Sequence, residues 1–271
     1  MAEKILQNIK RVAAHRSNFG PCRSLSSVKY IIFHYTANDG DNDEGNACYF
    51  QSPDRGASAH YFVDDDSITQ SVPDNYVAWS VGGGKWTDCA RTGGGRLYGK
   101  ASNANSISIE MCDTLKDGAH NVSEKTLRNA SDLCRSLMKK YNIDIAHVIR
   151  HFDVNGKHCP AYFMDDVKWG EFKASMIGRY GFKKGSVYKT TKACYLRRIS
   201  SPYVLHKVPY SALESVVLNK CRNLAGYARF KNGQAFKLDA YAVLGNNVWG
   251  RMKHGYWVPL IYNGKVRAKL R

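Results

Sequence analysis

No apolar stretch in these 271 residues approaches the roughly 20 needed to cross a bilayer; even the run Val28–Phe33 is interrupted at Lys29. Met1 to Arg16 is polar and basic, without the apolar segment of about 7–15 residues and the small-residue cleavage site of a secretory signal. Synthesis in the cytoplasm without a signal peptide is therefore expected. A substrate beyond the membrane then requires another component to let the protein through. The eight cysteines (22, 48, 89, 112, 134, 159, 194 and 221) have no CxxC spacing, the pattern of reduced, mostly buried thiols. Acids are scarce at one end. From Gly185 to Arg271 there are 16 Lys/Arg against Glu214 and Asp239 alone, whereas residues 1–184 hold 24 bases and 21 acids. So basic a tail suits a polyanion, whether nucleic acid, anionic membrane or acidic wall polymer, or else forms a solvated face. An apolar share of 44% with 12% aromatics excludes a disordered chain, and the length allows one large or two modest domains.

Strand-like and helix-like segments alternate in the first part of the chain. Val28–Tyr35 reads as a buried strand, and 59–63 and 68–72 as a hairpin around Asp64-Asp65-Asp66-Ser67. Ser106–Cys112 alternates, with Ile107, Ile109 and Met111 on one face and Ser106, Ser108 and Glu110 on the other. A helix is expected over 123–141. Ser123 caps it, and Leu127, Ala130, Leu133, Cys134, Leu137 and Met138 form its apolar stripe. A second helix is expected over 166–177, giving an α/β domain that ends near residue 180. Gly94 to Lys100 fits GxxxxGK, but Ala101 replaces the Ser/Thr that would hold magnesium and no strand precedes it, so phosphate cradling is excluded. After the joint RYGFKKGSVYK the style changes to short β-like runs at 194–199, 234–243, 247–252 and 256–261. Turn chemistry separates them at Asn232-Gly233, Gly245-Asn246 and Asn263-Gly264. This reads as a small all-β barrel.

Three residues stand out by type and place. His34 closes a buried strand and precedes the polar stretch Thr36–Asn46; taken alone, such a histidine is more often structural than functional. His151 and Cys159 share the segment RHFDVNGKHCP, and histidine with thiolate is a zinc-binding combination. Three protein ligands with an open fourth position mark a catalytic rather than a structural site. If 157–160 is extended, Lys157 and Cys159 share a face and His158 points away, which favours Cys159 as ligand and sets an ammonium beside the metal. Glu110 stands on the polar face of its strand, either as a solvated residue or as a proton acceptor.

In order along the chain stand YIIFHYTA (30–37), SAHYFVDD (58–65), AWSVGG (78–83), NSISIEMC (105–112) and RHFDVNGKHCP (150–160). Over about residues 8–178 this resembles the zinc amidases of phage endolysins and bacterial autolysins, whose wider family includes animal peptidoglycan recognition proteins. The resemblance implies a mixed central sheet flanked by helices, one zinc ion per chain held by His34, His151 and Cys159, and Glu110 and Lys157 as catalytic residues. It implies hydrolysis of the amide between N-acetylmuramic acid and the first L-alanine of the stem peptide. Glu110 would take and return the proton while Lys157 helps to stabilise the oxyanion. The chain departs from the pattern at Ala59, where some relatives carry a catalytic tyrosine, and at Ser80, where many carry histidine. His60 and Trp79 are the remaining candidates for the substrate side, His60 with a packing or supporting role.

The segments YLRR (195–198), FKLDAYAV (236–243), VWGRM (248–252) and GYWVPLIYNG (255–264) resemble bacterial SH3-like cell-wall-binding domains. The expected layout is a catalytic domain over 1–180, a linker over 181–190 and a wall-binding domain over 191–271. Trp249, Tyr256 and Trp257 are candidates for the binding face or for the core. Expected partners are peptidoglycan and anionic wall polymers, with the protein a monomer; leaderless synthesis with a wall-binding tail favours an endolysin released by a partner pore, while a phage or a bacterial gene would both fit the sequence. A non-catalytic peptidoglycan binder is the alternative, and Cys159 argues against it. A nucleic-acid binder would use the basic tail, but no base-stacking motif is present.

Overall fold

β-branched and aromatic residues crowd the segments around His34 and Glu110, and both segments become central strands, covered on both sides as parallel strands are. The computed structural model describes residues 9–177, 182–200, 204–244, 247–263 and 265–271, in two compact units divided after Asp165. Within the first lie β1 (Lys10–Arg11), β2 (Phe19–Cys22), β3 (Tyr30–Asp39), β4 (Tyr61–Val63), β5 (Ile68–Gln70), β6 (Tyr76–Ala78), β7 (Ser106–Asp113) and β8 (Val148–Arg150). Its helices are α1 (Asp43–Tyr49), α2 (Cys89–Thr92), α3 (Glu124–Tyr141) and α4 (His151–Asn155). Six strands form one mixed sheet in the order β1-β5-β4-β7-β3-β8, with β4–β7, β7–β3 and β3–β8 parallel and β4–β5 the expected hairpin.

The parallel core places Ile31, Ile32, Phe33, Ile107, Ile109 and Met111 out of water. Ser106 and Ser108, on the face read as polar, are buried as well. Helix α3 lies over β3, β4 and β7. It starts where the Ser123 hydroxyl accepts from the backbone N–H groups of Lys125 and Thr126, and stops at Asn142 in the left-handed region. Its buried face includes Ala130, Leu133, Cys134 and Leu137, while Leu127 and Met138 are half-buried. Asp74 ties this helix to the sheet, accepting from Tyr61 at 2.7 Å, from Lys140 at 2.9 Å and from Tyr141. Burial alone pushes the Asp74 carboxyl up, but these donors outweigh it and hold the group below its ordinary range.

Every strand pairing in the second unit is antiparallel. Its elements are α5 (Asp166–Met176), β9 (Val187–Thr190), β10 (Cys194–Tyr195), β11 (Arg197–Ser200), β12 (Val204–Lys207), α6 (Ser215–Leu218), β13 (Cys221–Leu224), β14 (Tyr227–Phe230), β15 (Ala235–Lys237), β16 (Ala240–Leu244), β17 (Asn247–Arg251), β18 (Trp257–Tyr262), β19 (Lys265–Val266) and β20 (Ala268–Leu270). The sheets run β12-β11-β18-β17-β16 with β19 on β18, β10-β14-β13 and β15-β9-β20. Helix α5, expected at the end of the first region, packs instead on β16. A Cβ at Gly170 would lie 2.7 Å from that of Ala242, so only glycine permits this approach. The expected turn at Gly245-Asn246, Gly264 of the last turn, residues 179–181 of the joint and the first eight residues lie outside the described residues.

The three aromatics weighed for a binding face turn inward. Tyr256 and Trp257 are 0% and 2% exposed, and Trp249 is 6% exposed. In so small a β unit the large rings supply the apolar area of the core, and the Tyr256 hydroxyl is used internally, accepting from the Glu214 backbone N–H at 3.1 Å. Among the described residues no helix is long and apolar enough to cross a membrane.

Candidate active site

The parallel register sets the site. Glu110 is the Cα partner of His34 across β3 and β7, and Phe33 is that of Arg150 across β3 and β8. Side chains at the C-terminal ends of neighbouring parallel strands open into one crevice. The chain leaves β8 directly into α4, so His151 arrives at the same end. Arg150, 0% exposed, fixes that turn. It donates to both Asp153 oxygens (2.8 and 3.0 Å) and to the Phe163 carbonyl (2.7 Å), while its backbone N–H caps onto Asp153 at 2.9 Å. Burial opposes an ionised Asp153, but Arg150 and Arg96 hold it far below the carboxylate range. Such a pair orients rather than stabilises, since its desolvation offsets much of the attraction.

Cys159 returns to the site because its carbonyl accepts from Phe152 N–H at 3.0 Å, just past His151. Between them, Gly156 sits at φ +94° with the space for a Cβ filled by Cys89 Sγ, so the loop closes only with glycine. The mid-chain near-miss motif has a similar explanation, since Gly94 packs against Phe152 and Gly156 and serves close approach.

His34, His151 and Cys159, all buried, bring their donor atoms within 4.8 Å of one another. His34 Nδ1 lies 3.8 Å from Cys159 Sγ, and the two imidazole rings are 4.9 Å apart, edge to face. Ligands about 2.0–2.3 Å from a tetrahedral zinc are roughly 3.5 Å from each other, so the spacing suits that ion. Burial and, secondarily, His151 push His34 well below its ordinary pKa; burial and Lys157 bring His151 to about 4. Both rings are thus neutral, the form that ligates. The 3.9 Å approach of His34 to Glu110 is accordingly a contact of a neutral ring with a carboxyl group, not an ion pair. Burial pushes the Cys159 thiol up and Glu110 adds to this; a cation is what converts such a thiol to thiolate. Neither His34 Nε2 nor His151 Nε2 has a hydrogen-bond partner among the described residues. A buried set of two neutral imidazoles and a thiol with unused donor capacity fits a zinc ion.

A cleft of 790 Å³ borders this cluster, lined by Glu110 and Lys157 together with Tyr35, Asn42, Asn46 and Tyr49. Burial lifts the Glu110 carboxyl to about 8, with Lys157 opposing and Asp41 adding, and its Oε2 lacks a partner. Lys157 is exposed and His158 stacks on Trp86, centroids 5.6 Å apart; the segment is not an extended strand, since Cys159 N–H donates to the Lys157 carbonyl at 2.7 Å in a tight turn. His60 is not part of the cleft wall. It is 1% exposed, accepts from the Ser108 backbone N–H at 3.1 Å, and lies with Nε2 3.1 Å from the Tyr76 carbonyl, pegging β4 to β7 and β6. Burial and then Arg23 bring it to about 4. Trp79 is 37% exposed and also lies outside the cleft lining. Sequence reasoning passed over Asn42 and Asn46, one turn apart on and beside α1, although both fall in the polar stretch after His34. It also missed Tyr162, whose hydroxyl is buried without a partner and whose ring lies 5.8 Å from that of Tyr35.

Known proteins resemble this chain in sequence and fold. Residues 24–162 match the family model described as N-acetylmuramoyl-L-alanine amidase. The N-acetylmuramoyl-L-alanine amidase CwlL of Bacillus licheniformis is 31% identical over 236 residues, which are 85% of this chain and 61% of that protein. XlyA of Bacillus subtilis (strain 168) is 35% identical over 151 residues, 55% of this chain and 44% of that protein. The solved catalytic domain of XlyA superposes with a TM-score of 0.50 at 32% identity, covering 62% of this chain and 99% of the other. The chain therefore spans less than two thirds of either full relative. The family is zinc-dependent in general, and the buried His34–His151–Cys159 cluster is compatible with that metal.

Proposed function

This chain belongs to the N-acetylmuramoyl-L-alanine amidase family, and we propose that it hydrolyses the amide joining N-acetylmuramic acid to the first L-alanine of the peptidoglycan stem. His34, His151 and Cys159 would hold one zinc ion. The observation that carries this reading is the convergence of their three donor atoms, His34 coming from more than a hundred residues before the other two, beside a cleft bearing Glu110 and Lys157. Bound there, zinc would supply Lewis-acid chemistry, polarising a carbonyl and making water reactive near neutral pH. Glu110, beside His34 by strand register, accepts the proton of the attacking water in its ionised form, which the positive charge of a bound metal would favour over the protonated form set by burial, and hands it to the departing amine of L-alanine. The Lys157 ammonium, at the rim of the cleft, stabilises the negative charge that builds on the carbonyl oxygen. Arg150 and Asp153 orient the turn that carries His151. With Ala59 in place of tyrosine, no phenol shares the proton transfer at that position.

The basic second unit serves as an SH3-like module that keeps the enzyme on its insoluble substrate, and the protein acts as an endolysin on the wall after release from the cytoplasm. A non-catalytic binder has no use for a buried thiol beside two neutral imidazoles. Incubation with purified walls and mass analysis of the released fragments is the direct test. Free stem peptides with an intact L-alanine amine are expected. Fragments cut within the glycan, or inside the peptide, would rule the reading out.

A further inference from the structure

Three cations of the second unit surround one small cavity. Its volume is 290 Å³, and Lys192, Arg197 and Arg267 line it together with Tyr195, Trp249 and Tyr262. Among the described residues no carboxylate lines it. The only two acids after residue 184 are engaged elsewhere, Glu214 by Arg198 at 2.9 Å and His254 at 2.7 Å, and Asp239 by Arg251 at 3.0 Å. The apolar wall is fixed: Trp249 packs edge-on against Tyr262 at 5.8 Å, and Arg197 is held over the Trp249 ring at 5.8 Å while donating to the Leu205 carbonyl at 3.0 Å. Like charges gathered around a space this small repel one another, and an anion entering it removes that cost. Its charge-assisted hydrogen bonds would form against a wall that already excludes water on one side.

We propose that this cavity binds the free terminal carboxylate of a short peptide with small apolar side chains. A polyol phosphate also carries an anion, but its hydroxyls would lie unpaired against Trp249 and Tyr262, a desolvation cost that methyl groups avoid. The cavity is at the lower end of ligand-site volumes, which suits one or two small residues rather than a sugar chain. The site lies wholly in the second unit and is independent of the hydrolytic reading of the first.

The test is fluorine NMR of the full chain labelled with fluorotryptophan, the Trp249 resonance being assigned with Trp249→Phe. Titration with acetyl-dialanine is expected to shift that resonance to saturation, and the same dipeptide as its C-terminal amide to bind about tenfold more weakly, the loss of one charge-assisted hydrogen bond. Arg267→Gln is expected to erase the preference for the acid while the buried Trp257 resonance stays in place, reporting an intact fold. The exposed Lys192→Gln should reduce the preference in the same direction. Equal binding of acid and amide, or no saturable shift at Trp249, overturns the proposal. So does a shift confined to Trp79 and Trp86 of the first unit. A stronger response to glycerol phosphate than to the dipeptide overturns the carboxylate and assigns a phosphate polymer instead. None of these outcomes depends on whether walls are hydrolysed.

Discussion

The two units use polar residues in opposite ways. In the first, with near-balanced charge, histidines, a thiol and carboxyl groups are buried at the ends of parallel strands, where the backbone fixes them to within a few ångströms. In the second, aromatic residues fill the interior and the cations, apart from the buried Lys173 over the Trp169 ring, stay at the surface or around one small cavity. Among the described residues, the His34–His151–Cys159 group is the only cluster suited to a metal ion. Chemistry requires burial and rigid register, because desolvation sets the protonation states of the groups. Attachment to a large anionic or peptidic surface requires exposed charge and tolerates looser geometry.

That contrast can be broken at several points. The largest effect is expected for Glu110→Gln, which should retain zinc yet lose wall hydrolysis by roughly 100- to 10,000-fold, the range for a general acid–base group. Undiminished clearing of walls would take Glu110 out of the reaction. Cys159→Ser should weaken zinc retention, measured by metal analysis after dialysis, by more than the roughly 10–100-fold that an outer-shell partner is worth; full occupancy would contradict its role. Truncation after Asp165 follows the division between units and the end of the family match at residue 162. The truncated protein is expected to remain folded and zinc-loaded but to sediment less with walls, while retention of the whole chain should fall as salt screens the basic unit. Loss of zinc on truncation would show that the units are not separable.

The smallest effect concerns stability alone. Asp74 has a depressed folded pKa, so its contribution is fully present above the unfolded value of 3.8 and disappears as pH falls through the lower folded value. Asp74→Asn should therefore cost about 1–3 kcal/mol near neutral pH, with the gap to the parent closing in thermal melts as the pH drops below 3.8. A gap that persists in strong acid would mean that the carboxylate charge is not what binds α3 to the sheet.

Much of this was legible in one dimension because the signals were local. The alternation of 106–112, the Ser123 cap and the hairpin around Asp64–Ser67 each depend on neighbours within a few residues, and each formed within two or three residues of its expected ends. Signals that depend on partners far along the chain were not. Helix α5 follows the first region in sequence, but Gly170 fits it to β16. Ser108 looked solvent-facing until a parallel neighbour enclosed it, and His60, weighed for the substrate side with a packing role, is enclosed with Arg23. The aromatics of the tail could not be sorted between surface and core without knowing which face of each short strand is covered.

By itself, then, the order of residues determined the strand and helix segments, the charge division between the two halves, and the set of side chains able to ligate zinc. Only the folded sheet decided that His34 stands beside Glu110, that the loop through Gly156 returns Cys159 to His151, and that Trp257 is interior. Residue type carries chemical capacity, but distance between remote positions is set by strand register and packing, which no local pattern encodes.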